Sequence, residues 1–265
     1  MSLKTKNINV SIAHKTICNQ LNINFNPGEF WGIMGVNGVG KTTLLHTLIG
    51  LRSFDNSSDN ADDIGEITLN HRNISDYKRI ELAQNIGMML QEYEYNFPST
   101  VLEATLIGRH PFINNWQWEN SNDKQLAKNA LKKMGLDSFC GRFVNTLSGG
   151  EKRRLNLATI LTQNPDYYLL DEPVNHLDIK AQLEILSLLK DKFKQGKQCG
   201  IMVIHDPNLA YRFCDHMLLL FDNGQWIAGE TKGILTRDNL SRLYNCPIHQ
   251  VNDAQHTLFI PLQNT

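Results

Sequence analysis

The chain has 265 residues, a formal net charge of −1 and a hydrophobic fraction of 41%. This length predicts one large α/β domain, or one domain with a smaller inserted subdomain, and the apolar fraction is sufficient for a sizeable core. The near-neutral charge argues against a nucleic-acid binder, and no apolar run approaches the roughly 20 residues that a membrane-spanning helix needs. Because the N-terminus also lacks the apolar core of a signal peptide, we expect a soluble protein that stays where it is made.

Apolar runs alternate with helical patterns in the first part of the chain, which predicts parallel strands joined by helices. Strands are predicted over 7–12, 21–25, 30–34, Glu66–Leu69 and 86–90. Helices are predicted over 41–49, ended by Gly50, and over 75–84, opened by a serine cap. The polar, acidic segment 53–63 between them is expected to be a solvated loop.

The strand pattern disappears between about residues 92 and 150, where two helical patterns, 100–109 and 123–134, flank a polar segment with Trp116 and Trp118. We therefore predict a helical subdomain inserted in a single domain over 1–265, and we expect the two tryptophans to be packing residues. Strands are predicted again over 167–170 and 200–204, with a helix over 178–194 between them. A hairpin over 217–228, a final helix over 234–244 and an irregular tail follow.

Five cysteines are spread through the chain at Cys18, Cys140, Cys199, Cys214 and Cys246. Their odd number and wide spacing are typical of reduced thiols in a cytosol rather than of disulfides. Cys246 with His249 and His256 matches no metal-site spacing, so we expect these three residues to bind no metal.

A glycine-rich loop follows the predicted strand 30–34 and opens the helix after it. It reads Gly35-Val36-Asn37-Gly38-Val39-Gly40-Lys41-Thr42-Thr43, which fits the pattern G-x-x-x-x-G-K-[ST]. Glycines let the backbone point its N–H groups inward as an anion nest, and the helix start adds partial positive charge. Lys41 is expected to contact the β- and γ-phosphates, and the Thr42 hydroxyl can bind Mg²⁺. The loop predicts binding of a nucleoside triphosphate.

Polar side chains follow three other predicted strands. Asp171 and Glu172 end an apolar strand at the edge where ligands of parallel sheets bind. Asp171 fits a magnesium-side carboxylate and Glu172 fits a general base or positioner of the attacking water. His205 can hydrogen-bond a γ-phosphate oxygen, and the amide of Gln91 can reach Mg²⁺ or the water. A structural histidine and a helix-capping acid pair are the alternatives.

A second anion site is predicted where Leu147-Ser148-Gly149-Gly150-Glu151-Lys152-Arg153 leads into an apolar helix. Exposed N–H groups, a hydroxyl and the helix dipole favour a phosphate there. An ordinary serine–glycine helix cap is the alternative.

In this order, these segments resemble an ATP-binding cassette (ABC) ATPase over nearly the whole chain. Gly35–Thr42, Gln91, Leu147–Glu151, Asp171–Glu172, Asn175–Asp178 and His205 match that family's Walker A, Q-loop, signature, Walker B, D-loop and H-loop. The resemblance implies a P-loop NTPase fold with a mainly parallel core sheet, an N-terminal antiparallel β subdomain and an inserted helical subdomain. It implies catalytic roles for Glu172, His205, Gln91 and Lys41, and Mg²⁺ binding by Thr42, Gln91 and Asp171. ATP contacts are expected from Gly35, Asn37, Gly38, Gly40, Lys41, Thr42, Thr43, Ser148, Gly149, Gly150 and Asp178.

The family pairs two cassettes head to tail, so the resemblance implies that Ser148, Gly149 and Gly150 meet the γ-phosphate held by the partner's Lys41. Gln91 would link the site to the helical insert that docks on multi-spanning permease subunits, at the cytoplasmic face of the cell membrane. Two departures from the family pattern concern Glu151, where many members have glutamine, and Ile12, where an aromatic residue usually stacks on adenine, with His14 close by.

Further segments resemble the importers of ferric siderophores, haem and vitamin B12. They are Thr100–Glu103, Gly108–Pro111, Glu172–Asp178, His205–Ala210 and 233–244. This branch implies an indirect partner, a periplasmic or surface substrate-binding protein, and no nucleic acid. The cargo is not distinguished. Another importer or exporter branch, a soluble cassette ATPase of DNA repair or translation, and a non-enzymatic nucleotide sensor remain alternatives.

Overall fold

The computed structural model describes residues 2–13, 15–55, 64–91, 98–114, 117–253 and 257–262. The chain divides into two compact units, a terminal unit of Met1–Tyr77 with Lys190–Thr265 and a central unit of Lys78–Leu189. In the described part of the chain, no helix is both long and apolar enough to cross a membrane.

An antiparallel sheet lies at the start of the terminal unit. Its strands, in the spatial order β2-β1-β4-β5, are β1 (Leu3–Ile12), β2 (Lys15–Phe25), β4 (Glu66–Leu69) and β5 (Arg72–Asn73). β1 pairs with β2 from Leu3↔Phe25 onward. Buried and exposed residues alternate at the start of β1, where Lys4 is exposed and Leu3 is buried, as in a sheet with one solvated face. β1 and β2 are both longer than predicted, because they continue through polar residues to Leu3 and Lys15.

A second group of strands in the terminal unit holds the phosphate loop. It consists of β3 (Phe30–Gly35), β8 (Cys199–Val203), β9 (His216–Leu220) and β10 (Trp226–Glu230). β3 is parallel to both β8 and β9, while β10 is antiparallel to β9. Every residue of β3 and β8 is buried, which explains their continuous apolar sequences. The parallel core and the predicted β9–β10 hairpin are confirmed.

The helices of the terminal unit flank these strands in sequence. They are α1 (Lys41–Leu48), α7 (Pro207–Phe213), α8 (Thr231–Ile234) and α9 (Arg237–Tyr244). Asp206 begins α7 as an N-cap, since its Oδ1 accepts the backbone N–H groups of Asn208 and Leu209. The final helix predicted over 234–244 is confirmed as α9, which Thr236 caps and which begins three residues later than predicted, while the short helix α8 before it was not predicted.

The last described strands form a hairpin, so the prediction of an irregular tail is wrong. β11 (Ile248–Asn252) and β12 (Thr257–Pro261) are antiparallel, and Phe259 on their buried face packs against Tyr211 of α7. The Asn208 side chain accepts the Phe259 N–H at 2.8 Å and donates to its carbonyl at 3.3 Å. The tail was mispredicted because its other face is also apolar, with exposed Val251, Leu258, Ile260 and Leu262, which hides the strand alternation.

The central unit carries α2 (Arg79–Asn85), β6 (Ile86–Met89), α3 (Val101–Leu106), α4 (Ser121–Lys133), α5 (Gly149–Gln163) and β7 (Tyr167–Asp171). β6 and β7 are parallel, and α6 (Ile179–Lys194) begins in this unit. Side-chain caps at Thr100, Asn120 and Ser148 begin the helices α3, α4 and α5. The predicted subdomain boundaries at about 92 and 150 fall within this unit and stay a prediction.

Two predictions near these helices are wrong. Ser75 does not open a helix, because Asn73 caps a short 3₁₀ turn there and α2 begins only at Arg79. Trp118 does not pack, since it is 87% exposed in the irregular segment before the Asn120 cap. Trp116, His14, His256 and most of the acidic loop 53–63 lie outside the described residues. Asp55 of that loop is described, and its N–H donates to Asn9 of β1.

Candidate active site

The phosphate loop connects β3 to α1, and the fold of the terminal unit requires its glycines. Gly38 and Gly40 have φ angles of 73° and 107°, in the region that favours glycine. A Cβ on Gly40 would collide with the Ile17 side chain, and one on Gly35 would lie 2.8 Å from the carbonyl oxygen of Leu220. The loop therefore wraps tightly, as an anion nest requires.

Lys41 and the threonines after it occupy the start of α1. The Lys41 ammonium is buried and donates to the carbonyls of Gly35 at 2.9 Å and Val36 at 3.1 Å. The charge is thus held inside the loop that would receive a phosphate. Thr43 is buried, Thr42 is half-buried, and Asn37 at the loop tip is exposed.

His205 lies beside the phosphate loop within the terminal unit. β3 and β8 are in parallel register at Ile33↔Val203, and two residues further on these strands lead to Gly35 and His205. The backbone N–H of Ile204 donates to the Ile33 carbonyl at 3.1 Å, so the pairing continues past the end of β8. The His205 carbonyl accepts the Tyr244 hydroxyl at 3.2 Å, which fixes the backbone at this point. Burial, followed by the charge of Asp206, raises the pKa of Tyr244 to about 12, so this hydroxyl keeps its proton.

In the central unit, the structure brings Gln91 and Glu172 together where β6 and β7 end. The Gln91 amide donates to the Glu172 carboxylate at 2.9 Å, and the Asn175 amide donates to the same oxygen. Glu172 has a positive φ of 50°, an uncommon conformation for a non-glycine residue. Asp171 before it is fully buried at the end of β7. The carboxylate of Glu172 is therefore oriented by two amides on a strained turn.

A buried arginine also holds the turn at Glu172. Arg153 of α5 is buried, and its guanidinium donates to backbone carbonyls of both loops that carry Gln91 and Glu172. The sequence had given this residue no role.

The Ser148 segment forms a capping box at the start of α5. The Ser148 hydroxyl accepts the Glu151 N–H at 3.3 Å, and the Glu151 carboxylate accepts the Ser148 N–H at 2.7 Å. Hydrogen bonds to the Glu151 carboxyl from the backbone, and then from the side chain, of Ser148 hold the pKa of Glu151 below its usual range. Glutamate and glutamine both serve at this position of a capping box, so Glu151 is structurally equivalent to the glutamine of other family members.

Gly149 and Gly150, in contrast, are not required by their surroundings. Neither has a positive φ. In the described part of the chain, a Cβ on Gly149 would meet nothing within 4 Å, and one on Gly150 would make an ordinary contact at 3.5 Å with Leu177. The capping box uses the N–H groups of Ser148 and Glu151, and the space beside Gly149 and Gly150 between them admits an approaching ligand.

The segment after Glu172 leads into α6. Asp178 caps that helix, since its Oδ1 accepts the Ala181 N–H at 2.9 Å. Asp178 and His176 are exposed, and the neighbouring Ile179 is 75% exposed.

An apolar pocket of about 340 Å³ lies within the central unit, next to Gln91. Its lining includes Met88, Met89, Leu90, Ala104, Ile107 and Pro111. Leu90 therefore places the pocket one residue from the amide that contacts Glu172.

The family model described as ABC transporter matches residues 18–175, more than half of the chain. The chain belongs to the ABC transporter family. It is therefore an ABC transporter ATPase, and the recognised fold class is confirmed, with an antiparallel N-terminal sheet, mainly parallel core strands and a helical region.

Known relatives extend the match over nearly the full chain. A hemin import ATP-binding protein of Mesorhizobium japonicum is 32% identical over 92% of this chain and 91% of its own length. A solved inward-facing conformation of an ABC transporter assigned to the metal-chelate type is 29% identical and covers 99% of this chain and 98% of that chain, with a TM-score of 0.83. A dimeric structure of a bacterial ABC transporter cassette is 28% identical over 86% of this chain and 98% of that one, with a TM-score of 0.72.

The ABC motifs thus form local groups whose geometry the structure describes. Lys41 bonds the Gly35 carbonyl in the terminal unit, where His205 follows the strand paired with β3, and Gln91, Glu172 and Asn175 meet in the central unit. Ile12, the position of the expected adenine-stacking residue, is half-buried at the end of β1. The ligand contacts of all these residues stay predictions.

Arg153 was missed because it stands in the charged run Lys152-Arg153-Arg154, which looks like a solvated helix face. Its helical phase was the available signal. Arg153 shares a buried stripe of α5 with Leu157 and Ile160, at i, i+4 and i+7.

Proposed function

We propose that this chain is the ATP-hydrolysing subunit of an importer that takes up an iron chelate, such as a siderophore or haem, or cobalamin through a membrane permease. The membership in the ABC transporter family supports the ATPase role. The hemin-import and metal-chelate relatives support the importer branch. On this proposal the chain works at the cytoplasmic face of the cell membrane, as a pair.

ATP is proposed to bind with its phosphates in the loop 35–43. The buried Lys41 ammonium, with backbone N–H groups of the tight loop, would neutralise the β- and γ-phosphates. The residues proposed to hold Mg²⁺, namely Thr42, Gln91 and Asp171, carry the oxygen donors that this hard cation prefers. The metal supplies charge neutralisation of the phosphates when it is bound.

Glu172 is proposed to accept a proton from the attacking water, with His205 hydrogen-bonding the γ-phosphate. The two amides on the Glu172 carboxylate orient it before any ligand arrives. Such orientation lowers the cost of reaching the reactive geometry. Because Gln91 is one of these amides, movement of its loop would change the position of the base.

One observation carries the proposal that two chains act together: nothing within the described chain requires glycine at 149 and 150. Glycine at a helix start costs stability relative to alanine. We infer that these glycines make room for the γ-phosphate bound to Lys41 of a second copy, in a head-to-tail dimer. The exposed Asp178 and Ile179 lie on the same proposed interface.

Size-exclusion chromatography of Glu172→Gln tests this mechanism. With Mg²⁺ and ATP we expect a dimer, because binding remains while proton abstraction is removed. With ADP we expect a monomer, because the γ-phosphate that joins the copies is missing. Fast turnover by a strictly monomeric wild-type chain contradicts the proposal.

The permease is proposed to dock at the apolar pocket beside Gln91. A permease segment there would contact Leu90 and so would be coupled to the amide on Glu172. Pull-down from detergent extracts should recover a multi-spanning protein, and Ile107→Glu should abolish its recovery. Ile64→Glu is the matched control, since Ile64 is similarly exposed but belongs to the terminal unit.

Recovery of nucleic-acid-bound or ribosomal proteins in place of a multi-spanning partner would favour a soluble cassette ATPase instead.

The cargo is tested by uptake of labelled haem, ferric siderophore and cobalamin in cells with and without the gene. Unchanged uptake of all three excludes this importer branch.

A further inference from the structure

The Arg153 guanidinium donates several hydrogen bonds to backbone carbonyls in the central unit. It donates to five carbonyls that belong to two separate loops: Leu90 and Gln91, and Asp171, Glu172 and Pro173. The bond to Asp171 is 2.7 Å and that to Pro173 is 3.3 Å. One side chain thus joins the loop after β6 to the loop after β7, from a helix that begins at Ser148.

Burying a charged guanidinium at this position costs free energy, so hydrogen bonds must compensate for the lost contact with water. Arg153 is only 8% exposed. Burial lowers the pKa of its guanidinium, while the charges of Glu172 and Asp171 oppose that change. Arginine carries five N–H donors in a rigid fork, and the five carbonyl contacts match this number.

The strained turn gives these bonds a specific consequence. Glu172 has a positive φ, and its carbonyl accepts both the Arg153 guanidinium and the Asn175 N–H. An uncommon backbone conformation persists only where neighbouring groups fix it. Fixing the carbonyls on both sides of Glu172 also sets the direction of its carboxylate.

The same fork holds the backbone of Gln91, whose side chain bonds that carboxylate. Arg153 therefore constrains the base and one of its orienting amides together. Removal of the Arg153 guanidinium would release the backbone of both loops at once. Removal of the side-chain amide of Gln91 or Asn175 would remove only one contact with the Glu172 carboxylate.

We propose that Arg153 is a positioning residue that holds Glu172 and Gln91 in register for hydrolysis, acting through the backbone. This inference rests on the proposed role of Glu172 as the base. It predicts a loss in turnover without a loss in affinity for metal-free ATP, because none of the carbonyls that Arg153 holds belongs to the phosphate loop 35–43.

Arg153→Gln in the purified full chain should lower kcat by about tenfold or more, while the Kd for ATP measured without Mg²⁺ changes by less than about twofold. Arg153→Lys should recover stability better than turnover, because an ammonium has three donors and no fork. If Arg153→Gln does not fold, Arg153→Lys alone carries the test, with kcat expected to fall by about threefold or more.

Arg109→Gln is the matched structural control. Arg109 is also an arginine of the central unit, half-buried with 13% of its side chain exposed, and it bonds Asp123 at 2.8 Å and carbonyls at the opposite end of α5. We expect this variant to lower Tm at least as much as Arg153→Gln while kcat per folded chain stays within about twofold of wild type.

Three results would overturn the inference: an unchanged kcat in Arg153→Gln, full kcat in Arg153→Lys, or an equal loss of kcat in Arg109→Gln. Glu172→Gln, assayed in parallel, separates this inference from the proposed function. Wild-type turnover in Glu172→Gln refutes the role of Glu172 itself. An inactive Glu172→Gln with a fully active Arg153→Gln refutes only the positioning role.

Discussion

The two glycine-bearing helix starts of this chain differ in what their glycines are for. At the start of α1, Gly40 has a positive φ and abuts Ile17, so the fold itself excludes any other residue. At the start of α5, Gly149 has an ordinary backbone conformation and open space around it. Gly149 is thus dispensable to the folded chain as far as the described residues show.

This difference separates folding requirements from functional ones. The α1 loop is complete within one chain, with its lysine already held inside. The α5 start presents N–H groups and a hydroxyl. Nothing in its described surroundings explains why residues 149 and 150 lack side chains. A glycine that the fold does not need, at a helix start where it weakens the helix, points to a ligand brought by another molecule.

Gly40→Ala should have the largest effect on the folded chain. The new Cβ collides with Ile17 at a φ of 107°, so we expect a loss of about 2–4 kcal/mol in the free energy of unfolding, together with loss of ATP binding. Chemical denaturation and equilibrium ATP binding measure the two effects. A stable Gly40→Ala chain that binds ATP normally would remove the contrast between the two helix starts.

Gly149→Ala should separate stability from activity. Alanine is the better helix residue, so the free energy of unfolding should stay the same or rise by about 0.5 kcal/mol. ATP-dependent dimerisation and hydrolysis should fall at least tenfold, because the methyl group occupies the space proposed for a γ-phosphate. Wild-type hydrolysis in this variant would show that the α5 start is only a helix cap.

Gly38→Ala isolates the backbone contribution within the α1 loop. Its φ is 73°, but no described atom lies within 4 Å of the added Cβ. We expect a loss of about 1 kcal/mol, clearly smaller than for Gly40→Ala. Gly38→Asn should lose less, because asparagine tolerates this conformation. Equal losses for Ala at 38 and 40 would mean that the contact with Ile17 contributes nothing.

Glu151→Gln should have the smallest effect. Both residues form the capping box with Ser148, but only glutamate adds charge, whose effect solvent screens. Because the folded pKa of Glu151 lies below that of the unfolded chain, its stabilisation is present above about pH 4.3. It is lost as the pH falls through the folded pKa.

Denaturation at several pH values checks this expectation. The variant should be less stable than wild type by about 0.5 kcal/mol at neutral pH, and the gap should close under acid conditions. A gap that widens on acidification would contradict the assigned direction of the pKa shift.

Sequence patterns predicted the elements whose signals are local. The strand Glu66–Leu69 has the predicted bounds, and β3, α1 and β7 follow closely from apolar runs and adjoining glycines or acids. Ser75 misled because a serine also suits a 3₁₀ turn, and only the neighbouring Asn73 cap decides between the two. Motif order likewise named the site residues without showing which of them touch.

Arg153 could not be assigned from sequence because its role depends on contacts between distant segments. Its acceptors lie 62 or 63 residues before it and 18 to 20 residues after it. Every residue has a backbone carbonyl, so no sequence motif shows which carbonyls act as acceptors. A charged residue on a buried helix stripe signals only that some such partner exists.

The contact of Asn208 with β12 has a consequence for the integrity of the C-terminus. The Asn208 amide occupies the backbone N–H and carbonyl of Phe259 on the side of β12 that β11 leaves uncovered. Another strand therefore cannot pair with β12 at this residue. The protection depends on α7 remaining in place. Loosening of this helix, by heat or by Asn208→Ala, would uncover this edge of Thr257–Pro261 and leave it open to pairing with another strand.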